Sequence, residues 1–260
     1  MTLAKALVAS DGKPPMTVSV ATMLLKLLRD STNTDDAADW QAVVDFARDL
    51  PEGLADQAEG REQLAFAMSH TGDVAGAIGQ LEALISTVGP TPERLGLLGG
   101  RYKRLFGMAK TDGDRIRYLN NAIQAYEQGM DLDLNDYYCS GNLPRLYRLR
   151  KNRGDEERAQ KVLTLVIAAC ERAKRRGITE EWLRATLLGA AFDAGDADKA
   201  EELADDVVTE DPVRWKLQST LNDAAVSANN VADAAIRDRL LAVIARLRQY
   251  LAGAVGVITA

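Results

Sequence analysis

The feature that most constrains the fold of this chain is an internal repetition of short helical segments. The segments LAFAMSHTGDVAGAIGQLEALI (64–85) and LLGAAFDAGDADKAEELADDVV (187–208) align without a gap. Each places a Gly-Asp turn after one amphipathic helix and an alanine four residues beyond the aspartate, at Ala77 and Ala200. Glycine ends a helix readily and aspartate caps the next one, so each segment is predicted to form a pair of helices.

Two further copies follow the same pattern. Residues 142–167 contain the turn Gly154-Asp155, with Ala159 again four residues beyond the aspartate. In the other copy the two halves are separated, because 95–105 supplies the first helix and 122–133 the second. The spacing resembles that of tetratricopeptide repeats, which are helix–turn–helix units of ~34 residues. This resemblance implies an all-α fold, a tetratricopeptide-like α-solenoid in which antiparallel helix pairs stack into a right-handed superhelix.

Less regular helices flank the repeats and are predicted at about 16–30, 38–50, 213–228 and 232–252, from apolar residues at three- and four-residue spacing. Terminal repeats are expected to be atypical, because they cap an open core. No linker rich in Gly, Pro or Ser divides the chain. We therefore expect a single domain over 1–260, with capping helices in 1–57, repeats in 58–212 and capping helices in 213–260.

Three stretches point to a closer family: GLLGGRYKRL, AIQAYEQGMDLDLNDYYCSGNLPRL and WLRATLLGAAFDAGD. Together they resemble the TRAFs-binding domain, which occurs in apoptosis signal-regulating kinases and in many bacterial proteins. The resemblance covers roughly 60–220 and implies a tetratricopeptide-like scaffold with a regulatory, protein-binding role. The chain has no kinase and lacks the N-terminal domain of many bacterial relatives, so a stand-alone adaptor and a fragment of a larger protein with an effector domain both stay open.

Composition excludes several classes of function. A net charge of −6 and a pI near 5.0 argue against general nucleic-acid binding. No apolar run approaches the ~20 residues of a membrane span, and the N-terminal apolar run is too weak for a secretory signal. We therefore expect a soluble cytoplasmic protein without membrane contact. Cys139 and Cys170 form no CxxC motif, and Cys139 is expected to be a packed residue.

No stretch carries recognisable catalytic, cofactor or metal chemistry. The segment DLDLND (131–136) starts like a calcium loop, but Asp136 stands where glycine is needed and Asn142 where glutamate is needed. His70, the only histidine, lies at the end of a predicted helix, where it interacts favourably with the negative end of the helix. The alternative use of His70 is as the base of a hydrolase. We expect no enzyme, no cofactor and no metal.

The distribution of charge is more informative. Residues 101–176 hold 17 Lys/Arg against 10 Asp/Glu, within an acidic chain. Two interpretations stay open: ordinary solvated helix faces, or a basic binding patch near the middle of the solenoid.

The stretch NDYYCSGNLPRLYR (135–148) favours a binding patch. Leu143, Leu146, Tyr147 and Arg150 occupy the packing positions of the third repeat, which places Arg145 and Arg148 on the opposite side of that helix. Both arginines are therefore expected to point away from the packing side. The same spacing places Arg101 and Arg104 on the equivalent side of the preceding repeat, so the four arginines are predicted to converge in a concave groove. The full predicted partner-binding set is Arg101, Arg104, Tyr138, Asn142, Arg145, Arg148 and Asn152.

The sequence thus predicts a non-enzymatic scaffold in signalling, stress response or defence, with a protein or acidic peptide bound in the groove. Arginine suits that ligand because its planar guanidinium binds carboxylates through paired hydrogen bonds. One alternative is a self-association module attached to an effector, which implies a homo-oligomer. The other is a hydrolase with its active site in the groove.

Overall fold

A computed structural model describes residues 16–32, 37–51, 53–178, 181–210 and 212–253. All regular secondary structure in these ranges is helical. The helices are α1 (Val18–Asp30), α2 (Ala37–Arg48), α3 (Ala58–His70), α4 (Val74–Val88), α5 (Pro92–Met108), α6 (Asp112–Leu132), α7 (Tyr137–Ser140), α8 (Leu143–Arg150), α9 (Asp155–Arg175), α10 (Glu181–Ala194), α11 (Ala197–Thr209), α12 (Arg214–Asn229) and α13 (Ala234–Gly253). The four predicted flanking helices correspond to α1, α2, α12 and α13. The outermost parts of the predicted caps, 1–15 and 254–260, lie outside the described residues.

The chain divides into two compact units, Met1–Tyr118 and Leu119–Ala260. In unit 1, α1 packs on α2 and α3, and α4 packs on α3 and α5. In unit 2, α8 packs on α9, α10 on α11 and α12 on α13, while α10 also contacts α12. Each unit is a stack of helix pairs, which confirms the predicted all-α class. The expectation of one continuous domain stays a prediction.

The Gly-Asp turns form as the repeated pattern predicts. Gly72, Gly154 and Gly195 have φ values of +101°, +85° and +69°, a backbone conformation that favours glycine. After two of these glycines, an aspartate carboxylate accepts a hydrogen bond from a backbone N–H in the first turn of the next helix. Asp73 accepts from Gly76 at 2.9 Å, and Asp196 accepts from Lys199 at 3.0 Å. These caps end one helix and start its partner within three residues.

The alanines at the repeated position explain how closely the paired helices approach. Ala77, Ala159 and Ala200 are all fully buried. A larger side chain at this position has no free volume, because protein interiors are close-packed. The small residue is therefore a packing requirement of the hairpin, as the alignment of the repeats indicates.

The second half of the separated copy differs from the prediction. The helix expected at 122–133 begins ten residues earlier, because α6 starts at Asp112. The hydroxyl of Thr111 accepts a hydrogen bond from the backbone N–H of Asp114 at 3.1 Å, and both aspartates lie in the positive first turn. A single cap therefore starts one long helix directly after α5.

A tyrosine–glutamate hydrogen bond recurs at the same spacing in both units. Tyr102 on α5 donates to Glu82 on α4, and Tyr147 on α8 donates to Glu127 on α6, each at 2.6 Å. Both bonds join the first helix of one pair to the second helix of the preceding pair. This contact therefore fixes successive pairs against each other at equivalent places.

Candidate functional site

A short helix and two capping residues define the start of α8. Asp136 caps the short helix α7 by accepting a hydrogen bond from the backbone N–H of Tyr138 at 2.8 Å. Asn142 is the N-cap residue of α8, and Pro144 lies in the first turn, where its missing N–H leaves no helix bond unmade. The expected packing residues Leu143, Leu146 and Tyr147 are buried, and so is Cys139.

Arg145 lies in a different environment from the one expected. Its side chain is only 5% exposed and forms an ion pair with Asp223 on α12 at 2.8 Å. A second, longer ion pair of 3.8 Å joins it to Asp193 on α10. Arg145 does lie opposite the packing side of α8, as expected, but it is buried rather than open to solvent, because Asp193 on α10 and Asp223 on α12 of the same unit cover it.

Asp193 completes this buried cluster. Its side chain is 2% exposed, and it accepts a hydrogen bond from the hydroxyl of Ser227 at 2.6 Å. Burial raises the pKa of its carboxyl group, although Arg145 and Ser227 stabilise the ionised form. The cluster of Arg145, Asp193, Asp223 and Ser227, called here the ionic tie, joins the first helices of three successive pairs. A buried carboxylate among so many charged residues carries no sequence signal, so Asp193 and Asp223 are absent from the predicted set.

The other predicted residues of unit 2 lie around the ionic tie. The side-chain amide of Asn142 donates to the carbonyl of Tyr138 at 2.9 Å, and its oxygen accepts from Arg145 at 3.0 Å. Arg148 donates to the carbonyl oxygen of Asp193 at 2.6 Å and pairs with Glu156 at 3.1 Å. Tyr138 and Arg148 are half-buried, whereas Asn152 is exposed.

The two predicted arginines of unit 1 differ from each other in exposure. Arg101 is buried, with its guanidinium 4.8 Å from the centre of the Phe66 ring. Arg29 on α1 approaches the same ring at 5.7 Å, so cations from α1 and α5 contact a phenylalanine on α3. Arg104 is exposed. Of the two, Arg104 is the residue that solvent, and hence a partner, can reach directly.

His70 is held in an aromatic environment. Its ring stacks on Trp40 at 4.0 Å and on Phe66 at 4.9 Å. Burial, and then the charges of Arg101 and Arg104, lower its pKa to about 3. The imidazole is therefore neutral at physiological pH, so the expected interaction of a charged histidine with the helix end does not apply.

Polar contacts also join the first helices of unit 1. Arg94 on α5 donates to Glu62 on α3 at 2.7 Å, with both side chains largely buried. Arg29 on α1 donates to Gln63 on α3 at 3.0 Å. Burial raises the pKa of Glu62, and Arg94 partly offsets this by stabilising the ionised form. In both units, then, neighbouring first helices are linked by arginine contacts.

The structure brings Asn142, Arg145 and Arg148 together in unit 2. The predicted convergence of these residues with Arg101 and Arg104, which belong to unit 1, stays a prediction. Within the described ranges, no group of three or more His, Cys, Asp or Glu side chains is placed to hold a metal ion. No helix in the same ranges is long and apolar enough to cross a membrane.

Comparison with known proteins supports the repeat interpretation. A family model described as Tetratricopeptide Repeats-Sensor matches residues 39–147. A solved structure of TTC0263, a thermophilic TPR protein of Thermus thermophilus, is similar with a TM-score of 0.55 at 14% identity, over 88% of this chain and 99% of that one. A tetratricopeptide repeat protein from Parabacteroides merdae matches with a TM-score of 0.43 at 14% identity, over 93% of this chain and 89% of that one. No curated protein matches the sequence.

Proposed function

We propose that this tetratricopeptide-like repeat protein is a non-enzymatic scaffold that binds a protein partner along its first helices. The observation that carries the proposal is the stacking of helix pairs of the tetratricopeptide type, which generally mediate protein–protein interaction. Repeat arrays of this kind offer extended surfaces to their ligands. The word Sensor in the name of the matched family supports a regulatory role in signalling, and roles in stress response or defence belong to the same proposal. The closer relation to TRAFs-binding domains and the cytoplasmic location belong to the same proposal.

The proposed partner-binding residues fall into two groups, those that can contact a partner directly and those that hold the helices in position. Arg104 and Asn152 are exposed, and Tyr138 and Arg148 are half-buried, so these four are available to touch a partner. Arg101 and Arg145 are buried and hold first helices in place. A rigid surface binds more tightly than a mobile one, because less conformational entropy is lost on binding.

An acidic peptide or an acidic helix is the partner chemistry that fits Arg104. The arginine lies in the stretch 101–176, where cations outnumber carboxylates in an otherwise acidic protein. A positively charged binding surface speeds the capture of an acidic ligand and selects against basic ones.

The alternative of a hydrolase has His70 as its candidate base. That imidazole stacks on both Trp40 and Phe66 and lies near the charges of Arg101 and Arg104. No observation in the described residues favours catalysis over binding.

The test is to select acidic peptides on the wild-type protein by display and to measure their affinities for single variants. Arg104→Glu is expected to weaken binding by about tenfold or more, the loss of one charged hydrogen bond. Wild-type binding is expected to weaken as salt is added. Arg158→Glu is the matched control, because Arg158 is an exposed arginine on a second helix, α9. Equal affinities of both variants in folded protein would refute the proposed surface.

A further inference from the structure

The first described helix of unit 1, α1, exposes an apolar face that the described residues of this unit leave uncovered. Val20, Met23 and Leu27 are 40%, 54% and 59% exposed, and the partly exposed Leu24 lies between them. Their spacing places all four on one face of α1. Another face of the same helix is the buried one, where α1 packs on α2 and α3. A helix with two apolar faces is typical of an element packed on both sides.

The last described helix of unit 2, α13, has a different exposed surface. The exposed residues of α13 are alanines, Gly253 and polar or charged side chains, among them Asp238, Arg239 and Arg246. The exposed large hydrophobic side chains of the described ranges include none on α13. A polar outer face is what a terminal helix of a repeat array needs in water. Among the described residues, α13 thus has the outer face of a terminal helix, whereas α1 has an exposed apolar face.

We propose that the exposed face of α1 binds the same face of a second copy of this chain, with the two helices antiparallel. Val20 and Leu27 lie equally far from the point midway between Met23 and Leu24. A two-fold axis through that point sets Val20 of each copy against Leu27 of the other, with the two Met23 side chains at the centre. The face is thus self-complementary, and such a contact closes at two subunits.

Charge favours the antiparallel arrangement. Thr17 caps the N-terminus of α1 by accepting a hydrogen bond from the backbone N–H of Val20, and Asp30 is the last residue of the helix. In an antiparallel pair, Asp30 of one copy lies beside the helix N-terminus of the other, where a carboxylate is stabilised. The two Lys26 side chains lie on opposite sides of the axis and do not face each other. A parallel pair would instead set equal charges side by side.

The first measurement is the mass of the full chain in solution by light scattering and sedimentation. We expect twice the monomer mass of 28.2 kDa. Met23→Lys is expected to raise the dissociation constant of the dimer by about a hundredfold or more, because each dimer then buries two unpaired charges. The control is Met108→Lys, since Met108 is 57% exposed, close to the exposure of Met23, and this variant should remain a dimer. A monomeric wild type, or a dimer that survives Met23→Lys, would overturn the proposal.

Cysteine pairing then tests the orientation. Val20→Cys and Leu27→Cys chains, mixed under reducing conditions and then oxidised, should form a disulfide between the two variants. Neither variant should cross-link with itself, because equal positions lie about 10 Å apart along an antiparallel pair, too far for a disulfide. The native cysteines are buried and do not compete. Disulfides within each variant and none in the mixture would show a parallel pair and overturn the arrangement.

Discussion

Removing the guanidinium of Arg145 should destabilise unit 2 strongly. In Arg145→Met the volume is largely kept, but Asp193 and Asp223 lose their ion-pair partner. Asp193 suffers more, because its side chain is 2% exposed against 25% for Asp223. Breaking a buried pair in this way costs about 3–5 kcal/mol in the free energy of unfolding. The hydrogen bond from Ser227 to Asp193 remains and places the expected loss toward the lower end of that range.

The assay is urea unfolding at pH 7 followed by circular dichroism, with Arg239→Met as the control. Arg239 also pairs with two carboxylates, those of Asp198 and Glu201, but all three groups are exposed. Exposed pairs contribute about 0–1 kcal/mol, so the same substitution there should cost little. A loss below about 1 kcal/mol for Arg145→Met would refute the structural role of the ionic tie.

A double-mutant cycle that combines Arg145→Met with Asp193→Asn measures the interaction between Arg145 and Asp193 separately from the other contacts of each residue. The asparagine keeps an oxygen that accepts the hydrogen bond from Ser227, but it has no negative charge that Arg145 must neutralise. The double variant should therefore be more stable than the sum of the two single losses predicts.

Acidification should also reduce the loss of stability in Arg145→Met, because burial raises the pKa of Asp193 and a protonated carboxyl group needs no cation to neutralise it. Equal losses at pH 7 and pH 5 would contradict that explanation.

Three further predictions concern other parts of the fold. Lowering the pH from 7 to 5 should reduce the free energy of unfolding by about 2 kcal/mol through His70. Its pKa is about 3 in the folded protein and 6.5 in the unfolded chain, so the unfolded chain takes up a proton first as the pH falls. The His70→Phe variant should show a weaker pH dependence in urea titrations. Ala200→Leu should cost about 1–3 kcal/mol through overpacking, and an unchanged melting temperature would show that the repeats are aligned wrongly. Tyr147→Phe should cost about 1–2 kcal/mol, because Glu127 loses its hydrogen bond, and calorimetry would detect the shift.

The sequence predicts the helix pairs well because their signals are local. A glycine with positive φ, an aspartate cap and an alanine four residues later all act within one hairpin, as at Gly195, Asp196 and Ala200. The repeat pattern does not predict the length of α6, because the N-terminal part of that helix from Asp112 lacks the apolar spacing of a repeat. The cap at Thr111 is a short signal that the repeat pattern does not contain.

The environment of Arg145 could not be predicted for a different reason. Helical periodicity shows correctly that Arg145 lies opposite the packing side formed by Leu143, Leu146 and Tyr147. It does not show that this opposite side meets Asp193 and Asp223, which follow in later helices. Side-chain spacing within one helix determines direction, whereas burial depends on what other helices place there.

The ionic tie also bears on how such an array can grow during evolution. The hairpin of α8 and α9 carries its own glycine turn, so its tandem duplication would copy the turn at Gly154 together with the two helices. Asp193, however, stands two residues before the turn glycine Gly195, and the corresponding place before Gly154 is taken by Asn152. In a duplicated array, Arg145 of the first copy would meet an asparagine in place of Asp193, one of its two carboxylate partners. Lengthening this part of the protein in that way would therefore remove one ion pair from the ionic tie, unless a compensating substitution accompanied the duplication.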